Sequence, residues 1–331
     1  MNLRALPKVE LHLHMDMSLS YEAVAELAPA VTPDDYKRDY AGKLEFTNLT
    51  EFLSRTPNIL ALEQDERGLR VMVKDMFRQL AADSMLYAEV RFAPLQHLRQ
   101  GLSAADVVRI VEHEVDRQSK DTGIESRIIL CTLRHYSADQ GMETVRLAHD
   151  FAGSRVAAFD LAGDEANFPL ETHLEAFRYA HAHGIAITSH AGESKGAESV
   201  WETLEQVKPA RIGHGVHSIQ DAALVQHLKR IQMHLEICPT CNVQLNGFPS
   251  YDLHPIDTLY REGLSLGIST DNRTLTPITL TNEYERMAAT FGWTKADFVK
   301  CNLFALDAAF IPPTLKDELR RRLVELSDKV S

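Results

Sequence analysis

Cysteine is scarce in this sequence, and long apolar runs are absent. The 331 residues include four cysteines, too few for a disulfide framework, and free cysteines are typical of a reducing compartment. No segment approaches the ~18 consecutive apolar residues that a membrane span needs, and the N-terminal residues lack the apolar core of a signal peptide. We therefore expect a cytoplasmic protein that does not enter a membrane.

Basic residues are outnumbered by acidic ones. The chain has 35 Lys and Arg residues and 47 Asp and Glu residues, a net charge of −12 near neutral pH. This balance excludes a general nucleic-acid-binding function, because phosphate binding needs a basic surface. The sequence also lacks a G-x-G-x-x-G or Walker loop. Its 44% hydrophobic and 25% charged residues are ordinary for a globular protein. We expect a small-molecule substrate, and nothing in the sequence indicates a protein partner.

Eight short apolar segments alternate with stretches of helical spacing. In one such stretch Ser103 is a typical N-cap residue, and Val107, Val111 and Val115 share one helix face. The predicted strands are Val9–His14, Leu86–Phe92, Arg127–Leu133, Arg155–Leu161, Gly184–His190, Arg211–His214, Met233–Cys238 and Leu264–Thr270. Strand and helix in alternation indicate a parallel sheet. Eight such units predict a (β/α)₈ TIM barrel, of the α/β class, in one domain spanning residues 1–331.

The predicted units are uneven in length. About 70 residues separate the first two strands, and a connection that long is usually functional. We expect an inserted helical lid at about residues 20–61. The region from Thr294 onward predicts extra C-terminal helices, the last of them an amphipathic helix at Leu315–Val330 that packs on the outside of the barrel.

Histidines and carboxylates fall where active sites form on such barrels. His12 and His14 occupy positions i and i+2 of the first predicted strand, so both imidazoles face the same way. His190, His214 and Asp271 each end or follow a later strand. The C-terminal ends of barrel strands carry the active site. These five side chains are therefore expected to meet at one site.

The residue types at these positions suit a divalent metal. Three imidazoles and one carboxylate, from His12, His14, His190 and Asp271, form a ligand set with one position left open for water. Glu193 and His214 remain for proton transfer. The sequence therefore predicts metal-assisted hydrolysis.

Six segments resemble, in order, the motifs of the adenosine deaminase family, which belongs to the metal-dependent amidohydrolases. The resemblance covers nearly the whole chain, and the motifs are specific in combination. They are Val9–His14 (VELHLH), Asp160–Glu165 (DLAGDE), Ser189–Glu193 (SHAGE), Arg211–Gly215 (RIGHG), Cys238–Asn242 (CPTCN) and Thr270–Asn272 (TDN).

The resemblance implies a reaction and a cofactor. One zinc ion per chain, held by the predicted ligand set, would activate water for attack on C6 of a 6-aminopurine. Glu193 would donate a proton to the ring N1, and His214 would orient the attacking oxygen and act as base or electrostatic stabiliser. The expected reaction is the hydrolytic deamination of adenosine, and of 2′-deoxyadenosine, in purine metabolism.

The resemblance also implies how the substrate is recognised. The backbone N–H of Gly163 would bind purine N3, and Asp16 would bind the ribose. Asn272 stands where a second aspartate is common in the family, and its amide can donate the bond to N7 without a raised pKa. Two further departures are Met17, where the family has a glycine beside the sugar, and Cys241, where serine is more familiar.

Several alternatives stay open at this point. Other 6-aminopurines, such as adenine or 6-amino-6-deoxyfutalosine, would use the same base-recognising residues. Gly192–Gly196 matches the G-x-S-x-G pattern of serine hydrolases, with Ser194 as nucleophile. A purine-binding barrel without catalysis is the alternative outside enzymes, although it would normally have lost part of the constellation.

Overall fold

The apolar segments form one sheet of eight parallel strands whose spatial order follows the chain. The computed structural model describes residues 2–42 and 45–330, so Lys43 and Leu44 of the predicted lid lie outside the described residues, as do Met1 and Ser331 of the predicted domain. The strands are β1 Lys8–His14, β2 Met85–Phe92, β3 Glu125–Leu133, β4 Val156–Ala162, β5 Ala186–Ala191, β6 Arg211–His214, β7 His234–Ile237 and β8 Ser265–Ile268. The predicted (β/α)₈ barrel is confirmed.

Helices surround this sheet, fifteen of them α-helices within the described residues. They are α1 Tyr21–Leu27, α2 Pro33–Asp39, α3 Leu49–Leu53, α4 Thr56–Leu60, α5 Glu66–Ala82, α6 Ala104–Thr122, α7 Ala138–Asp150, α8 Leu174–Ala182, α9 Ala197–Gln206, α10 Ala222–Arg230, α11 Pro239–Gln244, α12 Ile256–Arg261, α13 Leu280–Phe291, α14 Lys295–Ala308 and α15 Pro313–Asp328. The predicted N-cap of α6 is confirmed, because the Ser103 side chain accepts a hydrogen bond from the Asp106 N–H. Among the described helices, none is both long enough and apolar enough to cross a bilayer.

The barrel closes where the segment after β8 pairs with β1. The Asp271 N–H donates to the His12 carbonyl at 3.0 Å, and the His14 N–H donates to the Asp271 carbonyl at 2.5 Å. These bonds form a parallel bridge between Leu13 and Asp271. Closure therefore holds Asp271 against the end of β1, where the two histidines of the first motif lie.

Alternation along β1 separates the barrel interior from its outer layer. Glu10 and His12 bond to residues from β7 and from the segment after β8, across and inside the barrel. Val9 and Leu11 face outward and belong to an apolar cluster with residues of α14 and α15, including Leu319. The predicted amphipathic C-terminal helix is therefore present as α15, on the outside of the barrel.

Short helices occupy the long connection after β1. α1 to α4 fall within residues 20–61, the range predicted for a lid. The Thr50 hydroxyl in α3 donates to Asp164, two residues beyond the end of β4, at 2.6 Å. Leu49, Phe52 and Leu60 line a cavity at the C-terminal ends of the strands. This segment therefore lies over the face of the barrel that carries the candidate site.

Candidate active site

A cavity of about 810 Å³ lies at the C-terminal face of the barrel. Its lining includes His14, His190, Glu193, His214 and Asp271. Each of these residues lies at the end of a strand or within a few residues after it. The fold thus brings together the side chains that the sequence placed at separate strand ends.

The metal-binding atoms of the predicted ligands lie close to one another. His14 Nε2 is 3.2 Å from His190 Nε2 and 3.5 Å from Asp271 Oδ1. His12 Nε2 is 3.4 Å from the same Asp271 oxygen. Ligands held tetrahedrally at zinc distances of about 2.0–2.1 Å are separated by about 3.3–3.4 Å. The spacing therefore suits a metal centre.

Two unpartnered nitrogen atoms support this interpretation. His12 Nε2 and His214 Nε2 are buried and have no hydrogen-bond partner among the described residues. A buried polar atom without a partner costs about 1–3 kcal/mol, and a metal or a water beside it removes that cost. The donor atoms of His12, His190, His214 and Asp271 all lie within 4.8 Å of one another. This group contains His214 and not the predicted ligand His14, although His14 Nε2 lies 3.2 Å from His190 Nε2.

The backbone is strained at two of these positions. His214 has φ +59° and Asp271 has φ +66°, in the left-handed region that non-glycine residues rarely adopt. Such strain costs of order 1–3 kcal/mol and tends to occur at functional sites. Here it turns both side chains toward the metal-binding atoms at the ends of their strands.

Buried carboxylates orient two of the imidazoles. His12 Nδ1 lies 2.9 Å from Glu236 Oε2, and His190 Nδ1 lies 3.2 Å from Asp160 Oδ1. A carboxylate accepts only, so each Nδ1 carries the proton and each Nε2 keeps its lone pair for a metal.

One arginine links these two carboxylates. Arg91 on β2 donates from Nη1 to Asp160 at 2.9 Å and from Nη2 to Glu236 at 2.6 Å, and its side chain is fully buried. Burial raises the pKa values of both carboxyls, but their partners outweigh it. The hydrogen bond from His190 and the charge of Arg91 lower the pKa of Asp160, and the charges of Arg91 and Arg211 lower that of Glu236. Both groups are therefore anionic at neutral pH.

The histidines of the cluster are mostly held neutral. Burial lowers the pKa of His14 to about 3 and lowers the pKa values of His190 and His214 as well. Burial also acts on His12, but Asp271 and Glu236 outweigh it and raise its pKa. Neutral imidazoles are the form that binds a metal.

Glu193 has the environment of a proton donor. Its side chain is buried, and its Oε1 lies 3.4 Å from His214 Nε2. Burial raises the pKa of Glu193 well above its ordinary value, and the charges of Asp271 and Glu165 raise it further. This shift favours the protonated form, which is the form that can donate a proton.

A second glutamate shapes the loop that carries Glu193. The Glu165 carboxylate accepts hydrogen bonds from the backbone N–H groups of Gly192, Glu193, Ser194 and Lys195, at 2.7 to 3.3 Å. These bonds satisfy the backbone N–H groups of the turn after β5 and fix the direction in which the Glu193 side chain points. Glu165 belongs to the DLAGDE motif, but no role for it could be assigned from the sequence.

His214 and Asp271 have partners of their own. His214 Nδ1 lies 3.1 Å from Asn242 Nδ2, and Asn242 Oδ1 lies 3.3 Å from His254 Nε2. The Cys241 thiol donates to Asp271 Oδ2 at 2.7 Å. Cys241 thus supplies the hydrogen bond that a serine hydroxyl could make at the same position.

The predicted substrate-binding residues also line the cavity. Asp16 is buried, its Oδ2 accepts the Ala93 N–H at 2.9 Å, and its Oδ1 has no partner among the described residues. Asn272 Oδ1 accepts the Thr276 N–H at 2.9 Å, which leaves the amide's Nδ2 donors for the cavity. Gly163 has φ +101°, a conformation that favours glycine.

Ser194 lies in a different environment. It is exposed, and no hydrogen bond joins its hydroxyl to a histidine among the residues that the structure describes. A serine nucleophile needs a base within hydrogen-bond reach. The geometry therefore gives no support to the serine hydrolase alternative.

Three residues behind the ligands were not predicted from the sequence: Asp160, Glu236 and Arg91. A signal existed, because charged residues alternate with apolar ones in strands that are otherwise buried. Glu89 and Arg91 on β2, for example, are both fully buried. A charge buried in a barrel strand needs a partner across the barrel.

Known proteins resemble this chain along nearly its whole length. The family model described as adenosine deaminase matches residues 7–326. The adenosine deaminase of Clostridium acetobutylicum is 32% identical over 325 residues, covering 96% of this chain and 97% of that protein. That of Clostridium perfringens is 32% identical, covering 98% of this chain and all of the relative.

A solved structure with a bound ligand has a similar fold. Arabidopsis ADAL complexed with IMP is 25% identical to this chain with a TM-score of 0.88, and each chain covers 99% of the other. The strand-end cluster and the match over nearly all of the sequence lead to one conclusion. The chain belongs to the adenosine deaminase family, a family of metal-dependent hydrolases that act on C–N bonds.

Proposed function

We propose that this protein is a zinc-dependent aminohydrolase that converts adenosine, and 2′-deoxyadenosine, to inosine and deoxyinosine in purine salvage. The proposal rests mainly on one observation: a buried Glu193, whose pKa is raised by burial, lies beside His214 in a cavity lined by imidazoles and Asp271. A proton donor next to a metal-binding cluster is what hydrolysis of an aromatic amidine requires. Curated relatives named adenosine deaminase support the choice of substrate.

The metal would be held by His12, His14, His190 and Asp271, one zinc ion per chain. When bound, zinc lowers the pKa of a water molecule at its open coordination position. Burial favours the neutral form of His14 and His190, and together with the anionic Asp271 they supply the nitrogen and oxygen ligands that zinc prefers.

The chemistry at the purine falls to Glu193 and His214. Glu193 donates its proton to N1, which makes C6 electrophilic as the oxygen of water adds there. His214 Nδ1 accepts from the Asn242 amide, so the unpartnered Nε2 of the neutral ring carries the proton, donates a hydrogen bond to the attacking oxygen and orients it toward C6. The C6–N6 bond then breaks. One proton of the added water leaves with N6 as ammonia, the other restores the acid form of Glu193, the proton given to N1 stays there, and a carbonyl remains at C6.

Three residues would hold the substrate in this orientation. Asn272 donates from its amide Nδ2 to N7, the Gly163 N–H donates to N3, and Asp16 accepts a ribose hydroxyl through its free Oδ1. Contacts to a ribose favour a nucleoside over free adenine, because a buried polar group left unpaired penalises the smaller substrate.

We further propose that the chain is a single barrel domain acting in the cytoplasm, with residues 20–61 as a lid. The lid interpretation is supported by the leucines of α3 and α4 that line the cavity. The cytoplasmic location is supported by four cysteines that are all free and buried.

The first experiment measures ammonia release from adenosine by the purified protein, with metal content determined on the same sample. We expect turnover with about one zinc per chain and loss of turnover after chelation. Ser194→Ala is the matched control, because it should retain activity. Deamination that survives complete metal removal would contradict the proposal, as would the absence of deamination with zinc bound.

A further inference from the structure

The wall of the cavity formed by α3 and α4 is mainly apolar, although Thr50 and Thr56 also line it. α3 contributes Leu49, Phe52 and Leu53 to this wall, and α4 contributes Leu60. Phe52 and Leu60 are buried, so they do not simply face solvent. Met17, next to Asp16 in the chain, extends the apolar surface beside the ribose position. We call these side chains of α3 and α4, together with Met17, the lid wall.

The covalent geometry of a purine nucleoside decides which of its parts meets the lid wall. The proposed reaction requires C6 at the metal-binding cluster, beside Glu193 and His214. The sugar is attached at N9, on the other ring of the purine, and the 5′ carbon is the part of the nucleoside farthest from C6. α3 and α4 lie over the strand ends that carry this cluster, so the 5′ substituent points toward the lid wall.

The charge of the cavity disfavours a phosphate at this end. Arg99 is the one Lys or Arg side chain among the described residues that line the cavity, and it is exposed at the rim. Asp16 is buried and has an unpartnered oxygen. A phosphate near the Asp16 carboxylate would face like charge, which is unfavourable. Among its described residues, this chain thus lacks a built site for the phosphate of a nucleotide such as the IMP bound to the Arabidopsis relative.

The cavity is also large for a nucleoside. Its volume of about 810 Å³ is near the upper end of the ~300–1,000 Å³ that drug-sized ligands occupy. Adenosine is smaller than such ligands, and free adenine is smaller still. Part of the cavity against the lid wall would stay empty or hold water on an apolar surface, which is unfavourable.

We infer that the preferred substrates are uncharged 6-aminopurine nucleosides with an apolar 5′ substituent, which packs against the lid wall. The inference rests on the proposed function and specifies its substrate class. A 5′-alkylthio group fits this description, because it is neutral, apolar and larger than the 5′ hydroxyl. The reaction at C6 is unchanged.

The test compares kcat/KM for adenosine, 5′-methylthioadenosine and AMP with the zinc-loaded enzyme. We expect 5′-methylthioadenosine to equal or exceed adenosine and AMP to be at least about 100-fold poorer. A value for 5′-methylthioadenosine about tenfold or more below that for adenosine would overturn the inference while leaving the proposed function intact. Preference for AMP would also overturn it. Failure of all three substrates with zinc bound would remove the proposed function and the inference together.

A variant of the lid wall tests the position of the substituent. Leu53→Asn places an amide in the apolar wall, and we expect the ratio of kcat/KM for 5′-methylthioadenosine to that for adenosine to fall by about tenfold. Leu27→Asn is the matched control, because Leu27 lies in α1 of the same segment and does not line the cavity. An equal ratio in the wild type and Leu53→Asn would overturn the placement against the lid wall. If Leu53→Asn does not fold, Leu53→Ala provides the same comparison with a smaller expected decrease.

Discussion

Replacing Arg91 with methionine should weaken metal binding even though Arg91 does not touch the metal-binding atoms. The guanidinium donates to Asp160 at 2.9 Å, to Glu236 at 2.6 Å and to the Leu11 carbonyl at 2.7 Å, and all three hydrogen bonds are buried. Asp160 and Glu236 in turn orient His190 and His12. Removing the cation leaves two buried anions without the charge that compensates them.

The expected size of the effect can be worked out from these contacts. Removing one partner of a buried ion pair costs about 3–5 kcal/mol of stability, and losing the support behind a metal ligand weakens metal affinity by about 10- to 100-fold. Glu236 would retain Arg211, whereas Asp160 would retain only the Cys131 thiol besides its histidine among the described residues. We therefore expect His190 to be disturbed more than His12.

The assay is competition for zinc with a chromogenic chelator, together with urea unfolding of the same samples. Arg211→Met is the matched control, because Arg211 is equally buried and bonds to Glu89 and Glu236 but not to Asp160. It should lose comparable stability and less zinc affinity. A folded Arg91→Met protein with wild-type zinc affinity would refute the reasoning, as would an equal loss of affinity in the two variants.

Three further predictions concern single side chains. Glu193→Gln should lower kcat by about 10²–10⁴-fold with zinc content unchanged, because it removes the proton donated to the purine; near-normal turnover would contradict the assignment. His12→Ala should lose both zinc, measured by elemental analysis, and activity; full metal retention would remove His12 from the ligand set. Burial raises the pKa of Glu63 well above 4.5, and neither of its oxygens has a hydrogen-bond partner among the described residues. The folded state thus keeps a proton that the unfolded state loses above about pH 4.5. The free energy of unfolding therefore falls by about 1.4 kcal/mol per pH unit up to the folded-state pKa of Glu63. Glu63→Gln should lose this pH dependence when unfolding by urea is measured at several pH values, and an unchanged slope would exclude Glu63 as its source.

The fold could be predicted because its signals are local. Each apolar segment is short and ends in polar residues, and each predicted strand overlaps an observed one. Both ends of α6 also have local signals, since Ser103 caps its start and Gly123, with φ +72°, caps its end. The extra C-terminal helices α14 and α15 had the same kind of local evidence. The action of residues 20–61 as a lid stays a prediction, because it depends on motion.

The candidate site could be predicted because a parallel barrel brings one end of every strand to the same face. Residues at the ends of β1, β5 and β6 are far apart in sequence, yet His12, His190 and His214 lie within one cluster. Position along a strand was enough to bring them together. Their chemical roles stay predictions, since position alone does not separate a ligand from a base. His214 illustrates this, because its Nε2 is close to the metal-binding atoms and also 3.4 Å from Glu193.

The supporting residues could not be predicted in the same way, because their partners are set by which strands face each other across the barrel interior. Glu236 on β7 meets His12 on β1 and Arg91 on β2, and no sequence spacing indicates these pairs. In the sequence Glu236 ends a His-Leu-Glu segment shortly before Cys238, and nothing there indicates a role at the site. In the structure its carboxylate holds the proton on His12 Nδ1, so its effect on the metal passes through another side chain. Burying ion pairs in a barrel interior costs free energy. Orienting the ligands of a metal is a physical reason for this barrel to contain such ion pairs.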